Sequence, residues 1–508
     1  MERFEKKLSE IARYLGTDSS SEELISGICS NSKEIEPGDL FVAIPGTKSH
    51  GANFVDFAIK QGAKGILTDA EGRKLAADKL PLIEVIDVRK AIGSLTNWFY
   101  KSPSSQMNLV GITGTNGKTT TSRAVDALMS KLDYRTGRFT SPHLESILER
   151  ISIKGAPITP EGFVATYNDI ALYLDLIDSR QPHPLSYFEV LTAMAFVAFA
   201  EFPIDIGIIE VGMGGEWDST NVVAPVVSVL TPIGIDHATY LGNTIEEIAK
   251  TKAGIIKPES HVVLAAQEPS VAKILMERVA EKVCIPYREG VEFSVGKRLI
   301  AVGGQVITIN GVHGEYKDIF LPLYGAHQAS NAAIALAAVE AFVGSKLSDE
   351  LVQGAFSLLT SPGRFEILTR DPTVIIDAAH NPHGTKALAR TINEEFDFES
   401  IFGVVAVLSD KDAEGILREL EPVISRIVVT ENKSERALSK EKLFEIAVRI
   451  FGKDRAFMEV DLKSAITFSM EQATLLNQVS DGSNSVLITG SVVTVGQAKK
   501  IIERIENK

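Results

Sequence analysis

The stretch Val110-Gly-Ile-Thr-Gly-Thr-Asn-Gly-Lys-Thr-Thr-Thr121 decides how this chain is read. An apolar strand end runs into Gly114-Thr-Asn-Gly117, then Lys118, then hydroxyl residues that open a helical pattern. Glycines let backbone N–H groups turn toward an anion, and the helix behind them directs its positive end at the same point. Lys118 is set to neutralise the outer phosphates, and the Thr119 hydroxyl to reach a Mg2+ ion. The match to G-x-x-x-x-G-K-[ST] is incomplete: Ile112 stands where the first glycine belongs, and Gly114 sits inside the loop. The bland alternative is a tight turn before an ordinary helix. The lysine followed by three threonines favours a nucleotide, ATP or a close relative.

At 508 residues the chain exceeds one hydrophobic core, so two to four domains are expected. A 44% hydrophobic and 23% charged composition is that of a globular protein. The net charge of −14 disfavours a nonspecific nucleic-acid surface. Two distant cysteines, Cys29 and Cys284, give neither a disulfide framework nor a zinc pattern and read as buried small hydrophobes. The charged N-terminus lacks an apolar signal region, and no apolar run reaches the length of a membrane span. A cytoplasmic enzyme without membrane or nucleic-acid partners is expected.

Residues 1–100 read as a small α/β unit, with helices at 8–15 and 54–62 and strands at 38–44 and 65–68. The polar, proline-containing stretch 101–106 reads as a boundary. A second unit, 107–360, alternates apolar strands at 206–211 and 226–230 with helices at 188–200 and 327–343, which argues for a mostly parallel sheet covered by helices. A third, 361–508, carries strands at 373–377, 402–408, 427–430 and 486–489. Ligands in such folds bind at the carboxyl ends of the strands. The phosphate loop, Glu210 and Asp236-His237 all fall at such ends.

Three segments stand out beside the loop: Thr140-Ser-Pro-His143 with Glu149-Arg-Ile151; Glu210-Val-Gly-Met-Gly-Gly215 with Asp218-Ser-Thr-Asn221; and Asp236-His237 with Lys252. A strand-end Glu and a nearby His suit a hard or borderline cation. Taken singly, Glu210 reads equally as a helix cap, His237 as a core histidine and Lys252 as a solvated helix residue. Arg364, after the turn at Pro362-Gly363, fits either a phosphate contact or a surface salt bridge; Asp377 fits either a site carboxylate or an N-cap.

With these residues in view, the segment 107–508 resembles the folylpolyglutamate synthase/dihydrofolate synthase family, a branch of the Mur ligase superfamily. The resemblance rests on Gly114–Lys118, Thr140–His143, Phe188-Glu189, Glu210–Gly215, Asp236-His237, Lys252-Ala-Gly254, His327-Gln328, Gly363-Arg-Phe-Glu366, Asp377-Ala-Ala-His-Asn-Pro382, Ser409-Asp-Lys-Asp412 and Thr489-Gly-Ser491. It implies a three-domain α/β architecture with a P-loop ATPase centre and a Rossmann-like C-terminal domain. It implies small-molecule partners, ATP, a pteroate or folate, and L-glutamate, in a monomeric enzyme. The reaction it implies is phosphorylation of the pteroate or folate carboxylate to an acyl phosphate, then attack by the glutamate amine.

Roles carry over by position. Gly114, Thr115, Asn116, Gly117, Lys118 and Thr119 would hold the ATP phosphates, and Asn331, Arg364 and Asp377 would contact the nucleotide. Ser141, Glu210 and His237 match magnesium ligands. Lys252 matches a lysine carbamylated in many superfamily members, whose carbamate can bind a second Mg2+. His380 matches a residue required near the glutamate site, and Phe188 one that lies against the pterin. The chain departs from the family in Thr119, where Gly is frequent, and in Glu216, where Arg is usual. It also carries about a hundred residues before the ATPase region. These resemble the N-terminal domain of UDP-N-acetylmuramoyl-tripeptide synthetases at Asn31-Ser-Lys33, Pro37–Ile44, Gly46, Gly51 and Gly62-Ala63, with Lys33 in place of Arg and His50 in place of Asp. The second functional reading is therefore a ligase acting on a UDP-linked muramoyl peptide, and a third is a catalytically silent nucleotide-binding protein.

Overall fold

The computed structural model describes residues 5–33, 35–45, 49–76, 79–99, 107–179, 183–479 and 482–506. The expected boundary at 101–106, and Gly46, lie outside the described residues. Two compact units are present, Met1–Gln106 and Met107–Lys508.

The smaller unit is a four-stranded parallel sheet of β1 (Gly27–Cys29), β2 (Asp39–Val42), β3 (Gly65–Thr68) and β4 (Leu82–Glu84), paired in chain order. Phe41, Ala43, Val55, Ala58 and Ile66 form its core. The helix Val55–Gln61 stops at Gly62, whose φ of +108° and contact with the Pro37 backbone leave no room for a side chain. His50 is buried here: its Nδ1 accepts from the Ala52 amide at 3.0 Å, and its Nε2 lies 3.1 Å from Asp69.

A two-stranded antiparallel pair, Lys6–Lys7 with Leu24–Ile25, also belongs to the smaller unit, and the larger unit holds an eight-, a three- and a six-stranded sheet. Its eight-stranded sheet is built from β5 (Asn108–Thr113), β6 (Thr136–Phe139), β7 (Ile151–Ile153), β8 (Ala156–Pro157), β9 (Ile206–Glu210), β10 (Val227–Leu230), β11 (His261–Leu264) and β12 (Ile285–Arg288). The order is β8-β7-β6-β9-β5-β10-β11-β12, and β6, β9, β5, β10, β11 and β12 run parallel. Glu210 pairs with Ile112 in register, so the phosphate loop after β5 and the carboxylate ending β9 emerge side by side. Helix α1 (Lys118–Lys131) follows the loop; α2 (Tyr187–Glu201), α3 (Ile245–Ala253) and α4 (Ala326–Val343) complete the set that positions the site.

Helix α4 is apolar on nearly every face because it is buried on nearly every face, from Gln328 through Ala341. Its one internal carboxylate, Glu340, accepts from the Val312 amide at 2.6 Å and the Tyr316 hydroxyl at 2.8 Å, which ties α4 to an antiparallel sheet. That sheet, β13 (Ser294–Ala301), β14 (Gly304–Asn310) and β15 (Glu315–Leu321), was not expected from a reading of mostly parallel strands.

The last sheet comprises β16 (Glu366–Arg370), β17 (Thr373–Asp377), β18 (Ser400–Val405), β19 (Arg426–Val429), β20 (Ala456–Met458) and β21 (Asn484–Thr489), ordered β16-β17-β21-β18-β19-β20. All pairs are parallel except the edge pair β16–β17. Helix α5 (Pro382–Glu395) follows β17, and α6 (Val492–Glu506) follows β21. Cys29 and Cys284 are only half-buried, unlike the small core hydrophobes expected; the Cys284 thiol reaches the Lys257 carbonyl at 3.1 Å. Among the described residues no helix is long and apolar enough to cross a membrane.

Ile334 is fully buried in the core between α4 and α1. Ile334→Ala is expected to cost about 2–5 kcal/mol, read as a lowered urea midpoint. Val302, 94% exposed at the β13–β14 turn, is the control, and its replacement by Ala should shift stability by less than about 0.5 kcal/mol.

Candidate active site

The phosphate loop is shaped by contacts that admit only glycine. Gly114 has a φ of +150° and faces the Thr231 hydroxyl so closely that a Cβ would overlap it. Gly117, at φ +90°, begins α1 and lies against the Asn331 side chain. Thr115 is pinned across the sheet, its hydroxyl donating to the Gly234 carbonyl and accepting from the Gly234 amide, both at 2.9 Å.

Two lysines, the partly buried Lys118 and the buried Lys252, point into this loop. Lys118 Nζ donates to the Gly114 carbonyl at 2.9 Å and the Thr115 carbonyl at 3.3 Å. Lys252 Nζ, from α3, donates to the same Gly114 carbonyl at 2.9 Å. Burial lowers both lysines; for Lys252, 4% exposed, the drop is large and the neighbouring Lys118 charge adds to it. Lys252 is therefore not a solvated helix residue.

Glu210 is buried beside them. Its Oε1 accepts from the Thr119 hydroxyl at 3.0 Å, while its Oε2 is buried without a hydrogen-bond partner. Burial raises its pKa, and the Lys118 charge opposes that. His237 leaves β10 in a left-handed conformation, φ +52°. Burial, opposed by Asp236 and reinforced by Lys411, brings its pKa down to about 4, so its imidazole is neutral near pH 7. Among the described residues no cluster of three or more His, Cys, Asp or Glu side chains forms a ready-made metal site.

The C-terminal sheet supplies the opposite wall. Asp377 ends β17 and accepts from the Phe365 amide at 2.7 Å and the Ala379 amide at 2.8 Å. It braces the turn that carries Arg364 and does not cap α5. The cap is Asn381, whose Oδ1 accepts from the Gly384 amide at 2.8 Å. The Arg364 guanidinium makes no surface ion pair among the described residues; it donates to the Gly363 carbonyl at 3.3 Å and faces the cavity.

Asp236 joins the two walls. Lys411 Nζ lies 2.6 Å from its carboxylate, Asn381 Nδ2 donates to it at 3.0 Å, and His380 Nε2 lies at 3.5 Å. Burial alone would raise Asp236, but His380 and Lys411 hold it well below the usual carboxylate range. His380 Nδ1 sits 2.9 Å from the Ala378 carbonyl, which fixes the ring as an Nδ1 donor. Asn116 and Asn381 exchange amide hydrogen bonds of 3.1 and 3.2 Å, and Asn116 Nδ2 also lies 2.8 Å from His383 Nδ1.

One cavity brings together Gly114, Thr115, Asn116, Gly117, Lys118, Thr119, Ser141, Glu210, His237, Lys252, Asn331, Arg364, Asp377 and His380. Phe188 does not line it. Its ring packs 5.6 Å from that of Phe139 and against Gly212, whose missing side chain makes the room. Sequence reasoning assigned no role to Asn381 or Lys411, although both stand in motifs it singled out. The Asn-Pro pair at 381–382, a cap followed by proline in the first turn, was the signal for the former.

Comparison with known proteins follows the same lines. The Mur ligase middle domain matches residues 112–339, the glutamate ligase domain of Mur ligases residues 363–492, and the Mur ligase family catalytic domain residues 24–100. A dihydrofolate synthase/folylpolyglutamate synthase of Mycobacterium tuberculosis is 47% identical over 426 residues, 79% of this chain and 88% of that protein. Its Bacillus subtilis counterpart is 32% identical over 403 residues, covering 78% and 91%. The solved M. tuberculosis folylpolyglutamate synthase complexed with ADP and AMPPCP superposes with a TM-score of 0.77 at 48% identity, over 80% of this chain and 93% of that one. E. coli FolC in complex with DHPP and ADP superposes with a TM-score of 0.69 at 28% identity, over 80% and 92%. The chain belongs to the dihydrofolate synthase/folylpolyglutamate synthase family of Mur ligases.

Proposed function

We propose that this chain is an ATP-dependent ligase that joins L-glutamate to dihydropteroate or a folate through an acyl phosphate. The observation that carries the reading is one cavity lined by a phosphate loop, Lys118 and the buried Lys252, a half-satisfied carboxylate, and Asp236 with His380, with Lys411 bracing Asp236 from behind. We divide the larger unit into an ATP-binding domain, 107–360, and a ligase domain, 361–508, with the substrates at their junction. The reading carries with it a monomeric, cytoplasmic enzyme.

The loop amides and Lys118 would hold the ATP phosphates, and Asn331, Arg364 and Asp377 the rest of the nucleotide. The donor set fits Mg2+: an orphaned carboxylate oxygen on Glu210, the hydroxyls of Thr119 and Ser141, and a neutral imidazole on His237. Bound there, Mg2+ would neutralise phosphate charge. A second ion would need an anion at Lys252. The low pKa of that amine, and its sharing of one carbonyl with Lys118, favour a carbamate there.

Transfer of the γ-phosphoryl group to the substrate carboxylate leaves ADP and an acyl phosphate. Arg364, on the cavity wall, would face the negative charge that grows in this step. The glutamate amine then attacks the acyl carbon, phosphate leaves and an amide remains. With Nδ1 donating to the Ala378 carbonyl, His380 directs Nε2 toward the Asp236 carboxylate, 3.5 Å away, and would take the proton that the attacking amine loses. Phe188, partly buried and packed against Gly212 of the cavity lining, would lie against the pterin of the substrate.

A UDP-linked muramoyl acceptor is the competing reading, and the smaller unit gives it little support. Its open cleft is lined by Asp69, Glu71 and Glu84, and its Arg73 is already paired with Glu84 at 3.0 Å. That charge repels a diphosphate. His50, the residue standing where Asp is usual, is held in the hydrogen bonds of a helix start.

Phosphate release from ATP should require L-glutamate together with dihydropteroate or tetrahydrofolate. Release only with a UDP-muramoyl peptide would transfer the assignment to cell-wall chemistry. Lys118→Ala and Lys252→Ala should each lower turnover by about 100-fold or more, with unfolding midpoints near that of the parent chain. A Lys252→Ala enzyme with unaltered turnover would refute the role given to that lysine.

A further inference from the structure

Beside the main cavity lies a second, smaller cleft between α1, the loop that follows β6 and the turn carrying Arg364. Thr119, Pro142 and Arg364 line both. The cleft adds Arg123, Thr140 and Glu149. Arg123 stands one turn beyond Thr119 on α1, so both side chains share a helix face.

The Arg123 guanidinium is half-buried, yet it makes no hydrogen bond or ion pair among the described residues. The carboxylates that bear on it are engaged elsewhere. Glu149 accepts from the Leu144 and Glu145 amides at 2.9 Å and the Ser146 amide at 2.8 Å. Asp126 is paired with Arg138 at 2.9 Å, and Glu210 faces Thr119 and Lys118. Burial, with the Arg138 charge added, lowers Arg123 to about 10, so it stays charged at neutral pH while its donors lack a protein acceptor. A nearby arginine of the same region shows the contrast: Arg138 is buried and fully paired, through Asp126 and Ser152.

We infer that Arg123, with Arg364 across the cleft, forms a binding site for a small oxyanion of the reaction. The occupant is either a carboxylate of the amino-acid acceptor or the phosphate that leaves the acyl phosphate. Both present coplanar or clustered oxygens that a guanidinium fork matches, and both belong within reach of the shared Thr119–Arg364 wall. The inference rests on the ligase reading above, and it makes Arg123 a substrate-binding residue that the motifs did not mark.

The test compares the full-length parent chain with Arg123→Met and Arg123→Lys by steady-state kinetics and thermal unfolding. In Arg123→Met, the KM for L-glutamate should rise about tenfold or more, or product inhibition by inorganic phosphate should weaken by that factor. The KM for ATP should stay within about twofold, and Arg123→Lys should recover part of the loss. A shift in the glutamate KM assigns the cleft to the acceptor carboxylate; a shift in phosphate inhibition assigns it to the leaving phosphate. The Tm of Arg123→Met should equal or exceed that of the parent, because a half-buried charge without a partner is removed. Unchanged glutamate KM together with unchanged phosphate inhibition overturns the inference, as does a lowered Tm, which would mark the guanidinium as structural. A parent chain without glutamate-dependent turnover defeats the ligase reading itself. In that case the cleft is judged by thermal shift with inorganic phosphate and with L-glutamate: a shift in the parent lost in Arg123→Met supports it, and no shift with either refutes it.

Discussion

A single carbonyl oxygen, that of Gly114, accepts hydrogen bonds from both Lys118 and Lys252 at 2.9 Å. The rest of the larger unit is organised around that crowding. Two like charges drawn to one acceptor repel each other, which makes the arrangement costly. Burial makes the arrangement harder still, and it depresses both amines. Such a pair persists because anions restore the balance. Phosphate in the loop answers Lys118, and a carbamate on Lys252 would answer itself. The parallel strands β9, β5 and β10 converge their carboxyl ends on this point, and α1, α3 and α4 press the side chains inward. The fold holds the cations; the ligands complete the electrostatics.

The two walls of the cavity are joined by hydrogen bonds that span much of the chain. Asn116 and Asn381 are 265 positions apart, and Lys411 and Asp236 are 175 apart. These links do for the geometry what the phosphate loop cannot do alone. A phosphate loop binds a nucleotide, but the ligase reaction proposed here also needs the acceptor and the attacking amine held beside it. Asp236 touches both walls at once, through its own strand end and through Asn381, His380 and Lys411. Positioning of this kind is the larger part of phosphoryl-transfer catalysis.

What the sequence made legible follows from how local each signal is. The loop is a contiguous string, so its glycines and Lys118 announced it. Buried parallel strands are short apolar runs, and those at 206–211 and 373–377 emerged as Ile206–Glu210 and Thr373–Asp377. The helix read at 327–343 emerged as Ala326–Val343. The antiparallel strands β13–β15 escaped because β13 alternates half-buried with exposed residues and carries no continuous apolar run. Asp377 was readable as an N-cap because it precedes a helix. Its real partner, the Phe365 amide, lies across the β16–β17 pair and is invisible to any local window. Phe188 packs over Gly212, a glycine of the cavity lining, a contact that no local window shows. A motif position fixes where a residue sits along the chain, whereas the cavity wall depends on which neighbour is small.

Unsatisfied groups separate structural residues from residues that await a ligand. Among the described residues, seven buried side-chain atoms lack a hydrogen-bond partner, and four of these are hydroxyls of Thr121, Thr430, Ser469 and Ser485. A lone hydroxyl is tolerable. The Nε of Arg278 belongs to a side chain already paired with Glu281 through its Nη1. Glu395 has one bare oxygen, but its other oxygen meets Arg298 and the Gly325 amide, so its charge is answered. Glu210 differs: its one partner is a neutral hydroxyl, and the nearest cation, Lys118, donates to carbonyls and not to it. A buried carboxylate in that condition is costly in the empty protein and favourable once a cation arrives. Stability given up at Glu210 would be recovered by the Mg2+ proposed there, whereas the charge of Glu395 is already answered within the protein.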